Sequence, residues 1–278
     1  MGADTFFLQL DAPRARVQRS RQLLLERFPA GVEERELGAG VQFIVYFPDP
    51  AALAAAKKSL AGTLGLRAVH TRSNWQQAWT QHLTPQLLSS KLLVVPVDKA
   101  PPPSRTTSKQ IYLLRRAAFG FGEHVTTRLV ARALERELAE KSEQMVLDVG
   151  TGTGGLCIAA ARLGAAGCLG IDIDQPSVRV AKANAALNRL AARCKFSCQP
   201  LHRVKRRFDL VLANLDRVTL LALAPELARV LNAEGKLLVS GILDETRPEL
   251  DAAFKSHALK RVERASEDGW TLLGYQRR

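Results

Sequence analysis

An apolar stretch, residues 145–149, runs into Gly150-Thr151-Gly152-Thr153-Gly154-Gly155, and an alanine-rich helical pattern follows. About twenty positions beyond the glycines, a second apolar stretch, 168–171, delivers Asp172. Strand, glycine turn, helix, strand and acid in that order are the layout of a nucleotide-type cofactor site. The glycines supply a tight turn and let the backbone approach a ligand. The helix start offers N–H groups, and the carboxylate accepts hydrogen bonds from ribose hydroxyls.

The turn has two readings. Gly150, Gly152 and Gly155 satisfy G-x-G-x-x-G, the fingerprint of dinucleotide sites. Asp148 with Gly150, Gly152 and Gly154 equally satisfies D-x-G-x-G-x-G, the first motif of Rossmann-like S-adenosylmethionine (SAM) methyltransferases. Asp148 favours the second reading: a carboxylate at the end of the first strand suits the amino group and sulfonium of SAM and repels a pyrophosphate.

A chain of 278 residues accommodates one large domain or two smaller ones. Its 46% hydrophobic and 24% charged residues are those of a soluble globular protein. The net charge of +13 suits a nucleic acid, an acidic protein or a ribonucleoprotein particle as partner. Cys157, Cys168, Cys194 and Cys198 form no C-x-x-C pair and have no histidine at ligand spacing, so reduced thiols and no metal site are expected. Residues 1–10 lack a charged start followed by an apolar core, so no signal peptide is expected. Arg162 and five glycines interrupt the apolar run 154–173, which reads as helix and strand, with no membrane association.

Periodicity predicts three segments. Residues 1–70 alternate strands at 5–10 and 41–47 with helices at 14–28 and 50–60, an order that suggests a small α/β domain of the ferredoxin-like kind. Residues 71–109 form a connecting helix and linker: Trp75 and Trp79 at helical spacing, a strand at 91–97, then the proline-rich stretch 98–109. Residues 110–278 read as a doubly wound sheet, with strands at 145–149, 167–172, 194–198, 208–213 and 236–240. Two last strands, 258–264 and 269–276, form a hairpin around Ser266-Glu267-Asp268-Gly269. The fold class is therefore α/β: a Rossmann-like class I SAM methyltransferase domain closed by an antiparallel hairpin, plus a small N-terminal domain. Asn184 and Asn188, in the helix after Asp172, are expected to face solvent or cap its end.

Directly upstream of the cofactor strand stands Phe119-Gly120-Phe121-Gly122-Glu123-His124-Val125-Thr126-Thr127. It resembles the F-G-T-G-x-H-x-T-T signature of the PrmA family, methyltransferases of ribosomal protein L11 at the stalk base of the large subunit. The resemblance continues through residues 148–154, Gly170-Ile171-Asp172, Ala213-Asn214-Leu215 and Ser240-Gly241-Ile242-Leu243, and upstream through Trp75 and Trp79. It implies SAM contacts at Thr127, Gly150, Asp172 and Asn214, with Asp148, Gly152 and Gly154 completing the turn. Phe121 replaces the family's first threonine, and Glu123 and Val125 fill positions where Thr and Pro are frequent.

Methyl transfer from a sulfonium is an in-line displacement, in which the enzyme mainly positions the nucleophile. Asn214 is the residue expected to orient the incoming amine. His124, with Glu123, is the candidate base if one exists, or else orients the loop. Asn214 lacks the N-P-P-[YF] setting used on planar nitrogens, which counts against a nucleobase or glutamine acceptor. The resemblance implies a cytoplasmic, monomeric protein amine methyltransferase acting on a ribosomal protein, and the basic surface suits proximity to ribosomal RNA. Alternatives are a lysine methyltransferase with another protein target and a basic RNA-associated methyltransferase.

Overall fold

A computed structural model describes residues 6–28, 32–37, 40–47, 50–60, 67–69, 85–97, 110–114 and 124–277. Trp75, Trp79, the stretch 98–109 and the loop 119–123 lie outside the described residues. The chain divides into two compact units, Met1–Trp79 and Thr80–Arg278.

The first unit runs β1 (Phe6–Pro13), α1 (Val17–Arg27), β2 (Glu33–Leu37), β3 (Gly40–Phe47), α2 (Pro50–Leu60) and β4 (Arg67–Val69). Its antiparallel sheet has the order β2-β3-β1-β4, the βαββαβ arrangement of a ferredoxin-like sandwich. Alternation along β1 and β3 sends Leu8, Leu10, Phe43 and Val45 into one apolar core with Leu24, Leu53 and Leu60 from the helices. Sequence periodicity missed β2 because its Glu-Glu-Arg-Glu-Leu composition is that of a solvated segment. The Arg21 guanidinium grips Glu34 through two bonds, 2.7 and 2.6 Å, which ties this polar edge strand to α1.

The second unit opens with a small sheet, β5 (Gln86–Ser89), β6 (Leu92–Val97) and β7 (Gln110–Leu114), in the order β5-β6-β7. After α3 (Val125–Glu140) the main sheet follows: β8 (Met145–Val149), α4 (Gly155–Arg162), β9 (Gly167–Asp172), α5 (Gln175–Leu187), β10 (Cys194–Cys198), β11 (Phe208–Asn214), α6 (Arg217–Arg229), β12 (Leu231–Leu243), α7 (Arg247–Ser256), β13 (Leu259–Glu267) and β14 (Trp270–Arg277). The order is β10-β9-β8-β11-β12-β14-β13; the first five strands are parallel and the final hairpin antiparallel. Strand order reverses at β8, so the crevice between the carboxyl ends of β8 and β11 is the topological switch point, where ligands bind in such sheets.

The segment 71–109, expected as a connector, thus contributes β5 and β6, and β6 pairs with β7 in parallel. The outer edge of β7 is closed by side chains. Asn188 Oδ1 accepts the Tyr112 N–H at 2.9 Å, and its Nδ2 donates to the Tyr112 carbonyl at 2.6 Å. Asn184 Oδ1 accepts the Leu114 N–H at 2.8 Å. Asn188 does stand at the C-cap of α5, but both side chains are buried, at 0% and 3% exposure, and replace a missing neighbour strand. The expectation of solvent-facing asparagines fails because single-helix periodicity cannot see an unpaired strand edge laid across it.

At the far end, α3 is bound to the hairpin by charge. Arg128 and Arg132 both pair with Glu267, Arg136 with Glu263, and Lys236 with Glu263 and Glu137. These contacts hold the Glu263 carboxyl below its ordinary range and raise the Lys236 ammonium, although burial opposes both.

Candidate active site

Four residues named from sequence converge on the carboxyl edge of the parallel sheet. Gly150 follows β8, Asp172 ends β9, Asn214 ends β11, and Thr127 lies in the first turn of α3. Asn214 Nδ2 approaches Thr127 Oγ1 at 3.5 Å, bringing two segments 87 positions apart to one point.

Gly150, Gly152 and Gly154 all take positive φ, 74°, 52° and 77°. The N–H groups of Gly150 and Thr151 both donate to the Ile171 carbonyl, at 2.9 and 3.0 Å, and that of Gly152 donates to Asp172 Oδ2 at 3.0 Å. Those of Gly154 and Gly155 bond to the Thr151 carbonyl and the Thr153 hydroxyl. With five of the six N–H groups of residues 150–155 committed to the protein, the turn is poorly suited to cradle a pyrophosphate, and the Gly152 N–H fixes the Asp172 carboxylate at its rim. Gly154 faces away from the opening. It is the buried N-cap of α4, and a Cβ there would lie 2.9 Å from both Ala181 and Phe196, so it serves the packing of α4 on α5 and β10.

Beneath the turn, Asp148 is 1% exposed and accepts the Thr151 hydroxyl at 2.7 Å. Burial, helped by the negative field of Asp172, pushes its carboxyl up to about 6. Among the described residues neither Asp148 nor Asp172 has a basic partner in a hydrogen bond or ion pair. Two uncompensated carboxylates at the switch point fit a cationic ligand and disfavour an anionic one, so the residues present fit SAM.

The helix carrying Thr127 starts at Val125. His124 is its N-cap: the Thr126 N–H donates to Nδ1 at 3.3 Å, and the Thr126 hydroxyl lies 2.8 Å from the same atom. An Nδ1 that accepts is unprotonated. Burial and the neighbouring Arg128 charge lower the His124 pKa, in keeping with a neutral ring. The ring packs edge-on to Trp270 of the hairpin, with centroids 4.6 Å apart at 78°. Thr127 is 2% exposed and stands at the third helical position.

Five further residues surround the candidate site, and sequence reading passed over their roles. Asn184, besides holding Leu114, donates through Nδ2 to the Thr153 carbonyl at 2.9 Å, so one buried amide links the glycine turn to the strand that leads toward the 119–127 loop. Leu215 is pressed between two glycines: a Cβ on Gly150 would lie 2.4 Å from its Cδ2, and a Cβ on Gly241 would lie 2.4 Å from its carbonyl oxygen. Gly241 (φ 90°) forms the irregularity in β12 that makes this room. Ile173, 82% exposed beside Asp172, offers an apolar face suited to cover a planar base. An exposed isoleucine between two acids was the available sequence signal for it. Trp270 gave none, because its contact with His124 spans most of the unit.

Comparison with known proteins agrees with this geometry. The family described as ribosomal protein L11 methyltransferase (PrmA) matches residues 14–278. A ribosomal protein L11 methyltransferase of Sorangium cellulosum is 35% identical over 95% of this chain and 89% of its own. One from Syntrophotalea carbinolica is 39% identical over 73% of this chain and 66% of its own. The crystal structure of a ribosomal protein L11 methylase from Lactobacillus delbrueckii subsp. bulgaricus is 34% identical, with a TM-score of 0.63 over 70% of this chain and 100% of that one.

Proposed function

The chain belongs to the ribosomal protein L11 methyltransferase (PrmA) family, and from that membership we propose that its methyl acceptor is ribosomal protein L11, modified on lysine side chains, its N-terminal amine or both. It is a SAM-dependent methyltransferase. The observation that carries the donor side is the pair Asp148 and Asp172, without a basic partner among the described residues, beside a turn most of whose N–H groups are satisfied internally.

When bound, SAM supplies an electrophilic methyl group on a sulfonium. Asp172 receives the ribose hydroxyls, Gly150 and Gly152 allow close approach, and Asp148 balances the positive charge. Gly154 supports the turn from behind, and Thr127 shares its hydroxyl with Asn214. The Asn214 Nδ2 is turned toward Thr127, which leaves Oδ1 to accept an N–H of the incoming amine and hold its lone pair in line. That amine must arrive neutral. The free lysine value of about 10.4 falls on entering a desolvated site beside a cation. His124, with Nδ1 occupied as a helix cap, shapes the loop before α3 and is a poor base in this state.

The sandwich within residues 1–70 is the proposed substrate-recognition domain, 71–109 the connector, and 110–278 the catalytic domain. Among the described residues no helix is long and apolar enough to cross a membrane. A cytoplasmic monomer working close to ribosomal RNA fits a ribosomal acceptor and a net charge of +13. Purified protein incubated with SAM and free L11 should raise the mass of L11 in methyl increments; an unchanged mass overturns the acceptor.

A further inference from the structure

Nine lysines and arginines fall between residues 179 and 207, a stretch without a single aspartate or glutamate. Seven of them, Arg189, Arg193, Lys195, Arg203 and Lys205-Arg206-Arg207, flank the starts of β10 and β11. Arg179 and Lys182 stand exposed on α5, which packs against β10. Arg189, Arg193 and Lys195 are exposed where the chain runs into β10, the outermost strand of the sheet. Arg203 and the run Lys205-Arg206-Arg207 are exposed on the way into β11. Because β10 and β11 run parallel to β8 and β9, both strands begin at the amino-terminal edge, away from the switch point.

The opposite edge shows what this protein does with cations it uses for itself. There Arg132, Arg136, Lys236, Arg261 and Arg264 each meet a carboxylate. Among the described residues none of the nine is held in such a pair. Two have local contacts only: Lys195 Nζ donates to the Ala191 carbonyl, and the Arg206 guanidinium lies 5.2 Å from the Phe208 ring centroid. Crowded like charges destabilise a folded chain, and a polyanion relieves them.

We propose that the amino-terminal edge of the parallel sheet, around the starts of β10 and β11, is an RNA-binding face that grips the phosphate backbone of a folded RNA. It gives a place on the molecule to the proximity to ribosomal RNA proposed from net charge, and it is independent of which protein accepts the methyl group. An acidic protein is the lesser fit, because protein interfaces are centred on apolar or aromatic anchors. Among the described residues the exposed large apolar side chains, Leu87, Ile173, Val218, Leu243 and Val262, all lie outside 179–207. Phosphate contacts need no such anchor, and arginine, six of the nine, presents the fork that matches phosphate. A face at the amino-terminal edge leaves the carboxyl edge open to substrate.

The test is fluorescence anisotropy of a fluorescein-labelled RNA stem-loop titrated with the full chain at several salt concentrations. The variant Lys205→Glu/Arg206→Glu/Arg207→Glu should weaken binding at least tenfold and flatten the slope of log affinity against log salt by about 3, near one for each phosphate no longer neutralised. Lys255→Glu/Lys260→Glu, exposed on α7 and β13, should leave binding within about twofold, since charges outside the face add little. Methyl transfer to free protein substrate should be unchanged in the triple variant, which also reports that it is folded. Equal losses in both variants, no loss in the triple variant, or binding of polyglutamate in preference to RNA overturns the face. If the wild type binds RNA through this face but leaves L11 unmethylated, the acceptor fails and the face stands.

Discussion

Asp148 is the residue whose environment says most about the bound state. Its folded value of about 6 lies above the ordinary 3.8, so the folded chain holds this proton more firmly than the unfolded one. Its contribution to stability is full below about pH 4, is lost as pH rises through about 6, and is constant above. Asp148→Asn should remove that decline, on the order of 3 kcal/mol, in thermal denaturation of the ligand-free protein across the window. His124 acts in the other direction: its lowered value means that stability is lost on acidification through the ordinary histidine range. A cation bound above Asp148 draws its proton off, so calorimetry should show SAM affinity rising with pH through about 6 in the wild type and flat in Asp148→Asn. Asn184 is the second decisive residue. Asn184→Asp keeps the acceptor for Leu114 N–H and loses the donor to the Thr153 carbonyl. It should cost about 1–3 kcal/mol of stability and raise the KM for SAM, whereas Asn188→Asp, which touches β7 but not the turn, should leave that KM near wild type. Equal KM values in the two variants would rule out the link through Asn184.

At the scale of elements, α3 couples the two ends of the catalytic unit. Its first turn carries Thr127 to the switch point, and its later turns are riveted to β13 by the Arg132, Arg136 and Lys236 pairs. His124 sets where the helix begins. His124→Ala should lower stability by about 1 kcal/mol, with His124→Asn restoring most of it because an asparagine side chain also caps, as measured by denaturant midpoints. If His124→Asn is as unstable as His124→Ala, the edge contact with Trp270 rather than the cap is what the ring supplies. Sequence periodicity located β8, β9, β10 and α2 to the residue, because each is a run whose burial is decided by its own near neighbours. It placed β12 only at its centre, because the strand extends through the Gly241 irregularity that a period of two cannot carry. It missed β5 and β7, short strands that persist by pairing with β6 and, for β7, with two asparagines of α5.

At the scale of the whole molecule, the two units have separate cores, one around Phe43 and Leu10, the other around Leu147, Val211 and Phe254. A unit with its own core keeps its own ligand site. Residues 80–278 expressed alone should therefore bind SAM within about threefold of the full chain, a difference of less than about 1 kcal/mol. Their methylation of L11 should fall at least tenfold if the N-terminal sandwich recognises the substrate, as radiolabel transfer would measure; undiminished transfer assigns recognition to the catalytic unit. Local pattern was enough to determine the cofactor turn, the acid after the second strand, the closing hairpin and the family resemblance, because glycine spacing, strand period and charge at a strand end act over a few residues. Only the tertiary structure decided that Asp148 is buried without a cationic partner among the described residues, that Asn184 spans from the turn to β7, that His124 caps α3 against Trp270, and that the cations around the starts of β10 and β11 meet no carboxylate among the described residues. Each of these depends on which distant segment lies alongside, and burial, hydrogen-bond satisfaction and pairing of charge are properties of that company rather than of the residue.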